Sequence, residues 1–329
     1  MNAGKAPSRA PRLRLAAFGS PAFAIPSFER LRSEHELVLV VAQPDKPAGR
    51  GMAPRTPAAA AWAREHELPL AQPERLKRDE AFRERLRALE LDVAVTAAYG
   101  KLLPEALLRI PRHGFLNVHA SLLPKYRGAA PVQWALIEGE RETGVSIMQT
   151  EAGLDTGPVR HVLRTTIAPD ETAGQLTERL ALLGAEALSQ ALALLARDAL
   201  PSNAQDDAAA TRAPQLGRAD GRIRWEDDAE AVFARHRGVT PWPGSWFERR
   251  GQQGVALVKV LALSRTAASA ATPPALEPGT VCAIDERGVH VVTGAGTVIL
   301  EVLQSPGRPR QQAAAWARGA RLEVGERCG

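Results

Sequence analysis

The run ELVLVVA, residues 36–42, decides the fold class. After Glu36 it is aliphatic without a break. A strand with one wet face alternates apolar and polar residues, whereas an unbroken run needs cover on both faces, as in a parallel sheet. Upstream, LRLAAF (13–18) is a short apolar strand. It leads into GSPAFAIPSFERLRSE, read as a helix with Ser20 as N-cap and Pro21 at its first position. Pro26 then falls at an awkward interior place. Downstream come a Pro/Gly/Arg loop (43–57), a helix over AAAAWAREHE, an amphipathic helix over DEAFRERLRALE and a second buried strand, LDVAVTAA. GFLNVHA is the next strand, APVQWALIEG a helix and GVSIMQT a strand. A long helix covers about 171–197, with Leu176, Leu180, Leu183, Leu188 and Leu192 at helical spacing. Strands alternating with helices give an open α/β sheet that binds ligands at the carboxyl ends of its strands. The first turn is FGSPAF, not G-x-G-x-x-G, so a dinucleotide site is unsupported.

The character changes after ARDALPSNAQDDAAATRAP, an Ala/Asp/Pro-rich stretch that reads as a linker. Beyond it lie short strands punctuated by Gly and Pro (GVALVKVLAL, GTVCAID, GVHVVTG, GTVILEVLQ), the pattern of a small barrel or sandwich. The expected organisation is a disordered tail at 1–12, a first domain at 13–199, a linker at 200–211 and a second domain at 212–325. A chain of 329 residues fits two domains, and 45% hydrophobic with 24% charged residues is an ordinary globular mix.

No run of 18 apolar residues is present, so no membrane span is expected. The basic N-terminus before an apolar stretch resembles a signal peptide, but Gly19, Ser20 and Pro21 interrupt that stretch. Cys282 and Cys328 form no metal-ligand or disulfide pattern, which points to a reducing cytoplasm. His113, His161, His236 and His290 show no metal spacing either, so no metal is expected. Net charge is +5, and from Arg212 onward 16 Lys and Arg face 12 Asp and Glu. That excess fits either scattered surface arginine or a surface for a polyanion.

Chemistry concentrates in FLNVHASLLPKYRGAAP (115–131). Asn117 and His119 are two apart in a strand, so they share one face, while Leu116 and Val118 face a covering layer. A neutral imidazole accepts a proton, and an amide NH2 donates to an oxygen gaining charge. Alone, the pair also fits a core Asn and His satisfied by local backbone. In GLDTGPV, Asp155 sits in a turn, from which a carboxylate could reach the same sheet edge and pair with the imidazole. The loop QPDKPAGRGMAPRTP carries Lys46, Arg50 and Arg55 in a long aperiodic segment, either functional or simply solvated. Trp242 and Trp246 fit base stacking, the plugging of a small barrel or the packing of a domain interface.

The stretch GFLNVHASLLPKYRGAAPVQWALIEGERETGVSIMQTEAGLDTGPV resembles the core of the 10-formyltetrahydrofolate-dependent formyltransferases. Asn-x-His, S-L-L-P, R-G-A-A-P and L-D-T-G occur in order at compatible spacing. The similarity extends through FGSPAFA, QPDKPAGRG and AAYGKLLP upstream, and through GRIRW and TPWPGSW downstream. The resemblance implies a Rossmann-like domain with a mostly parallel sheet, followed by a small open, OB-like β-barrel that contacts tRNA. It implies formyl transfer from 10-formyltetrahydrofolate to the α-amine of methionine on initiator tRNA, by a monomer. It carries catalytic roles onto Asn117, His119 and Asp155, and folate contacts onto Ser121, Leu122, Leu123 and Pro124. It carries tRNA contacts onto the loop of Lys46, Arg50 and Arg55, with Arg50 matching the key arginine. After GRG this chain has MAPRTP where relatives often carry lysines, and it has Arg212 and Gln215 where they often have Tyr and Lys.

Overall fold

The computed structural model describes residues 11–48, 53–251, 254–266 and 276–329, in two compact units. The first holds residues up to Pro131, Glu142–Thr166 and Thr177–Pro214. The second holds Val132–Arg141, Ile167–Leu176 and Gln215–Gly329.

The first unit is built on a seven-stranded sheet. Its order is Val159–Thr166, Glu142–Gln149, Phe115–His119, Val93–Ala97, Arg14–Gly19, Glu36–Val41 and Leu70–Ala71. From Phe115–His119 to Leu70–Ala71 all pairings are parallel, and the last two strands at the other edge are antiparallel. The aliphatic run is covered as expected, with Leu39, Val40 and Val41 at most 1% exposed. On one face Phe18 meets Phe82, Tyr99 and Phe115 edge-on, at centroid distances of 6.4, 5.5 and 5.1 Å. The long helix Ala173–Leu195 lies against Val118: a Cβ on Gly184 would stand 2.8 Å from Val118 Cγ1. Glycine there lets the helix approach the strand that carries Asn117 and His119, and it confirms that Val118 faces a covering layer.

Three local expectations are corrected. Ser20 is not an N-cap. Its hydroxyl accepts from Gln43 N and donates to Tyr99 O, and the chain enters the helix through a 3-10 turn at Ala22–Ala24. The α-helix proper is Ile25–Glu34, which puts Pro26 in its first turn, where a missing N–H costs nothing. The loop 43–57 is not structureless, because Lys46–Ala48 pairs antiparallel with Ala53–Arg55. Val159–Thr166 is a strand no sequence pattern announced. Its Arg160, His161 and Arg164 belong to a part-exposed edge rather than to an apolar run.

The second unit is an antiparallel sheet, the small barrel of the sequence reading. Its order is Ser245–Gly251, Gly254–Arg265, Thr297–Gln304, Gly288–Val292 and Val281–Asp285. Helices Ala229–Gly238 and Ala313–Ala320 complete it. Phe247, 1% exposed, meets Trp225 and Trp316 edge-on at its centre. Those two tryptophans, rather than Trp242 and Trp246, fill the barrel. Trp242 is 55% exposed, and Trp246 lies at the surface with its Nε1 donating to Arg218 O at 2.9 Å. Among the described residues no helix is long and apolar enough to cross a membrane, and no His/Cys/Asp/Glu cluster could hold a metal ion.

Candidate active site

Strand Phe115–His119 ends at the site. Across the sheet Asn117 is in register with Thr96, and His119 with Ser146. Thr96 Oγ1 donates to Asn117 Oδ1 at 2.8 Å. That bond ties the amide oxygen to the neighbouring strand.

His119 is 5% exposed. Its Nε2 lies 3.0 Å from the carbonyl oxygen of Tyr126. A carbonyl only accepts, so Nε2 carries the hydrogen and a neutral ring keeps its lone pair on Nδ1. Nδ1 faces Asp155 Oδ2 at 3.8 Å. This is an ion-pair separation rather than a hydrogen bond. The group that orients the imidazole is therefore the Tyr126 carbonyl. Tyr126 is itself held at φ 63°, with its N donating to Thr211 Oγ1 at 2.8 Å. Asp155 Oδ2 accepts from Gly128 N at 2.9 Å. Asn117, His119 and Asp155, 38 residues apart at the extremes, thus share one corner of the first unit.

The turn Ser121–Pro124 follows directly. Ser121 is fully buried, and its hydroxyl donates to Lys125 O at 2.7 Å. Ser146, also fully buried, pins the turn from the next strand. It donates to Ser121 O at 2.7 Å and accepts from Leu123 N at 3.1 Å. Leu122 lies over Gly144, whose added Cβ would stand 2.6 Å from Leu122 Cδ2. Leu123 and Pro124, joined by a cis peptide, keep part of their apolar surface open. Sequence reasoning missed Thr96, Ser146 and the Tyr126 carbonyl. The first two had a signal: each is the hydroxyl in an otherwise aliphatic stretch of strand, at the position in register with Asn117 or His119.

Elsewhere in this unit, Lys46 and Arg55 stand directly opposite each other in the short hairpin, both exposed. Like charges at such a pair repel. Lys101 adds a third cation. Its Nζ donates to Pro73 O and Glu74 O, and burial, followed by the charge of Lys46, lowers its pKa. Asp45 braces the hairpin base. It accepts from Gln72 and Thr56, and those bonds, Gln72 foremost, hold its carboxyl below the usual range. Arg50 lies outside the described residues.

The formyl transferase family model matches residues 13–192, and the formyl transferase, C-terminal domain model matches 215–321. A methionyl-tRNA formyltransferase of Thermus thermophilus is 49% identical over 96% of this chain and 99% of its own. Those of Anaeromyxobacter dehalogenans and Deinococcus radiodurans are 49% and 45% identical, over 94% and 95% of this chain and 97% and 95% of theirs. Among solved structures, the Helicobacter canadensis N-formyltransferase, determined with folinic acid and dTDP-3-aminofucose, superposes with TM-score 0.65. It is 14% identical and covers 89% of this chain and 99% of its own. HypX of Aquifex aeolicus, solved with tetrahydrofolic acid, gives TM-score 0.63 at 16% identity over 95% of this chain, which spans 48% of HypX. The two structures share the fold. The family models and the near-full-length identities go further and place this chain in the formyl transferase family.

Proposed function

We propose that this chain transfers the formyl group of 10-formyltetrahydrofolate to the α-amino group of methionine on initiator tRNA, giving N-formylmethionyl-tRNA for translation initiation. The observation that carries this reading is the 49% identity over 96% of the chain, because it spans both units and relatives named for that substrate. On this reading the protein works in the cytoplasm, as a monomer, on a charged tRNA.

The bound folate supplies the formyl group, carried on its N10. The chain's own residues supply position, polarisation and proton transfer. The part-exposed apolar surface of Leu122, Leu123 and Pro124, in a turn that Ser121 and Ser146 hold, fits a flat heteroaromatic ligand beside the strand end. Asn117, its oxygen tied to Thr96, donates its NH2 to the formyl oxygen as that oxygen gains negative charge. The amine must be neutral to attack, and His119 Nδ1 takes the proton it sheds. Asp155 stabilises the imidazolium through charge, at 3.8 Å, until the bond from the formyl carbon to N10 breaks and the imidazolium returns the proton to N10, which leaves as tetrahydrofolate. Lys46, Arg50 and Arg55 take the tRNA backbone, whose phosphates relieve the repulsion between Lys46 and Arg55.

The test offers 10-formyltetrahydrofolate with methionyl-initiator tRNA or with dTDP-linked amino sugars, and follows the formyl group. Formylated tRNA is the expected product. Transfer to the amino sugar alone would overturn the proposed substrate.

A further inference from the structure

Asp155 has an improbable backbone. Its φ is 54°, the left-handed region, in a residue with a Cβ. Holding a non-glycine residue there costs on the order of 1 kcal/mol, so the surroundings must fix it. The carboxylate is gripped by Gly128 N. The main chain is gripped by one side chain 50 residues away. Gln205 Nε2 donates to Asp155 O at 2.9 Å and to Gly157 O at 2.7 Å.

The other end of the same amide holds the other segment. Gln205 Oε1 accepts from Arg127 Nε at 3.1 Å and Nη2 at 2.9 Å. Arg127 directly precedes Gly128. Two donors and two acceptor sites are all a carboxamide has, and Gln205 uses all four. Residues 201–204 and 206–209 around it are exposed, and Gln205 alone turns inward. The stretch then runs on beside the loop, with Arg212–Ala213 paired in parallel to Arg127–Gly128. A Cβ on Gly128 would stand 2.5 Å from Ala213 O. A segment that the sequence presents as a linker is therefore laced onto the loop and the turn that hold Asp155.

We infer that Gln205 is a positioning residue for formyl transfer: its side chain ties the loop at Arg127–Gly128 to the turn at Asp155–Gly157, and so sets the Asp155 carboxylate against His119. This inference rests on the function proposed above. Neither glutamate nor leucine can make all four bonds. Glutamate keeps the acceptor for Arg127 but sets oxygen against two carbonyl oxygens, and leucine removes both ends.

The experiment measures kcat and both KM values for wild type, Gln205→Leu and Gln205→Glu in the full chain, with kcat expressed per folded molecule from a melting curve. In both variants kcat is expected to fall about 10- to 100-fold, as for a displaced catalytic group, while KM for the tRNA stays within about twofold. A purely structural role would lower the folded fraction and leave kcat per folded molecule unchanged, which overturns the inference. So does a rise in KM with kcat kept. If Gln205→Leu does not fold, Gln205→Glu alone decides, because it retains the Arg127 pair. Wild type run alongside separates the two claims: no formyl transfer to tRNA by wild type sinks the proposed function, whereas equal transfer by wild type and variants sinks only the role of Gln205.

Discussion

His119 and His236 are buried to nearly the same degree, 5% and 6% exposed, and their surroundings make them opposites. His119 ends a strand, gives one ring nitrogen to a carbonyl and turns the other toward a carboxylate. His236 lies in helix Ala229–Gly238, with Nδ1 against Ser245 Oγ at 2.9 Å and the cation of Arg237 beside it. Burial first, and then Arg237, push its pKa down to about 4. Burial alone therefore makes an imidazole inert, a neutral piece of core. On the proposed mechanism His119 acts as a base because it keeps one ring nitrogen unshared, with a carboxylate at hand for the charge it acquires.

Removing the site groups should have the largest effect. On the proposed mechanism, Asn117→Ala deletes the donor to the developing oxyanion and is expected to cost about 10²–10³ in kcat. His119→Ala is expected to cost at least as much, since base catalysis contributes about 10²–10⁴. Steady-state formylation of methionyl-tRNA reads both. His236→Gln, equally buried, should leave kcat near wild type. A His236→Gln enzyme as crippled as His119→Ala would end the distinction between the two residues.

How much of this was legible in the sequence follows from the range of each interaction. Asn117 and His119 could be paired from spacing alone, because the two-residue period of a strand puts them on one face. The sheet was legible for the same reason, since ELVLVVA and LDVAVTAA need cover on both sides. Asp155, in a turn shortly after GVSIMQT, could reach the same sheet edge, but D-T-G-P alone also fits an ordinary turn, and the resemblance decided between the two. The Tyr126 carbonyl and Gln205 were invisible. Each acts through a contact that exists only after folding, and a backbone carbonyl has no sequence signal at all. The hairpin at Lys46–Arg55 was hidden by Pro47 and Pro54, which argue against strand in any sequence reading yet sit opposite each other in the pair.

Acid separates His236 from the rest through stability. Unfolded His236 takes a proton below about pH 6.5, and folded His236 only near pH 4. Between those values the unfolded chain binds more protons, so stability is complete above about pH 6.5 and falls as pH drops toward 4. At pH 5 this one group accounts for a loss on the order of 2 kcal/mol. His35 in the first unit, lowered by its own burial, acts with the same sign. Denaturant melts at pH 7 and pH 5 of wild type and His236→Gln isolate the second unit's share. The variant should lose less stability on acidification, and equal losses would mean that His236 is not held neutral.

The smallest effects belong to side chains that are not buried at all. Lys46 and Arg55 are exposed and face each other across the hairpin, so neutralising either relieves repulsion in the free protein and, on the proposed function, removes a phosphate contact in the complex. The two consequences reinforce each other in one observable. Lys46→Gln or Arg55→Gln should melt no lower than wild type, bind methionyl-tRNA more weakly at low salt, and lower the salt slope of binding by about 1 for each cation lost. The chemistry at His119 should be untouched, so kcat at saturating tRNA stays at the wild-type value while KM rises. A variant that loses kcat at saturation would place the hairpin in the chemical step, and one that binds tRNA with an unchanged salt slope would remove it from the interface.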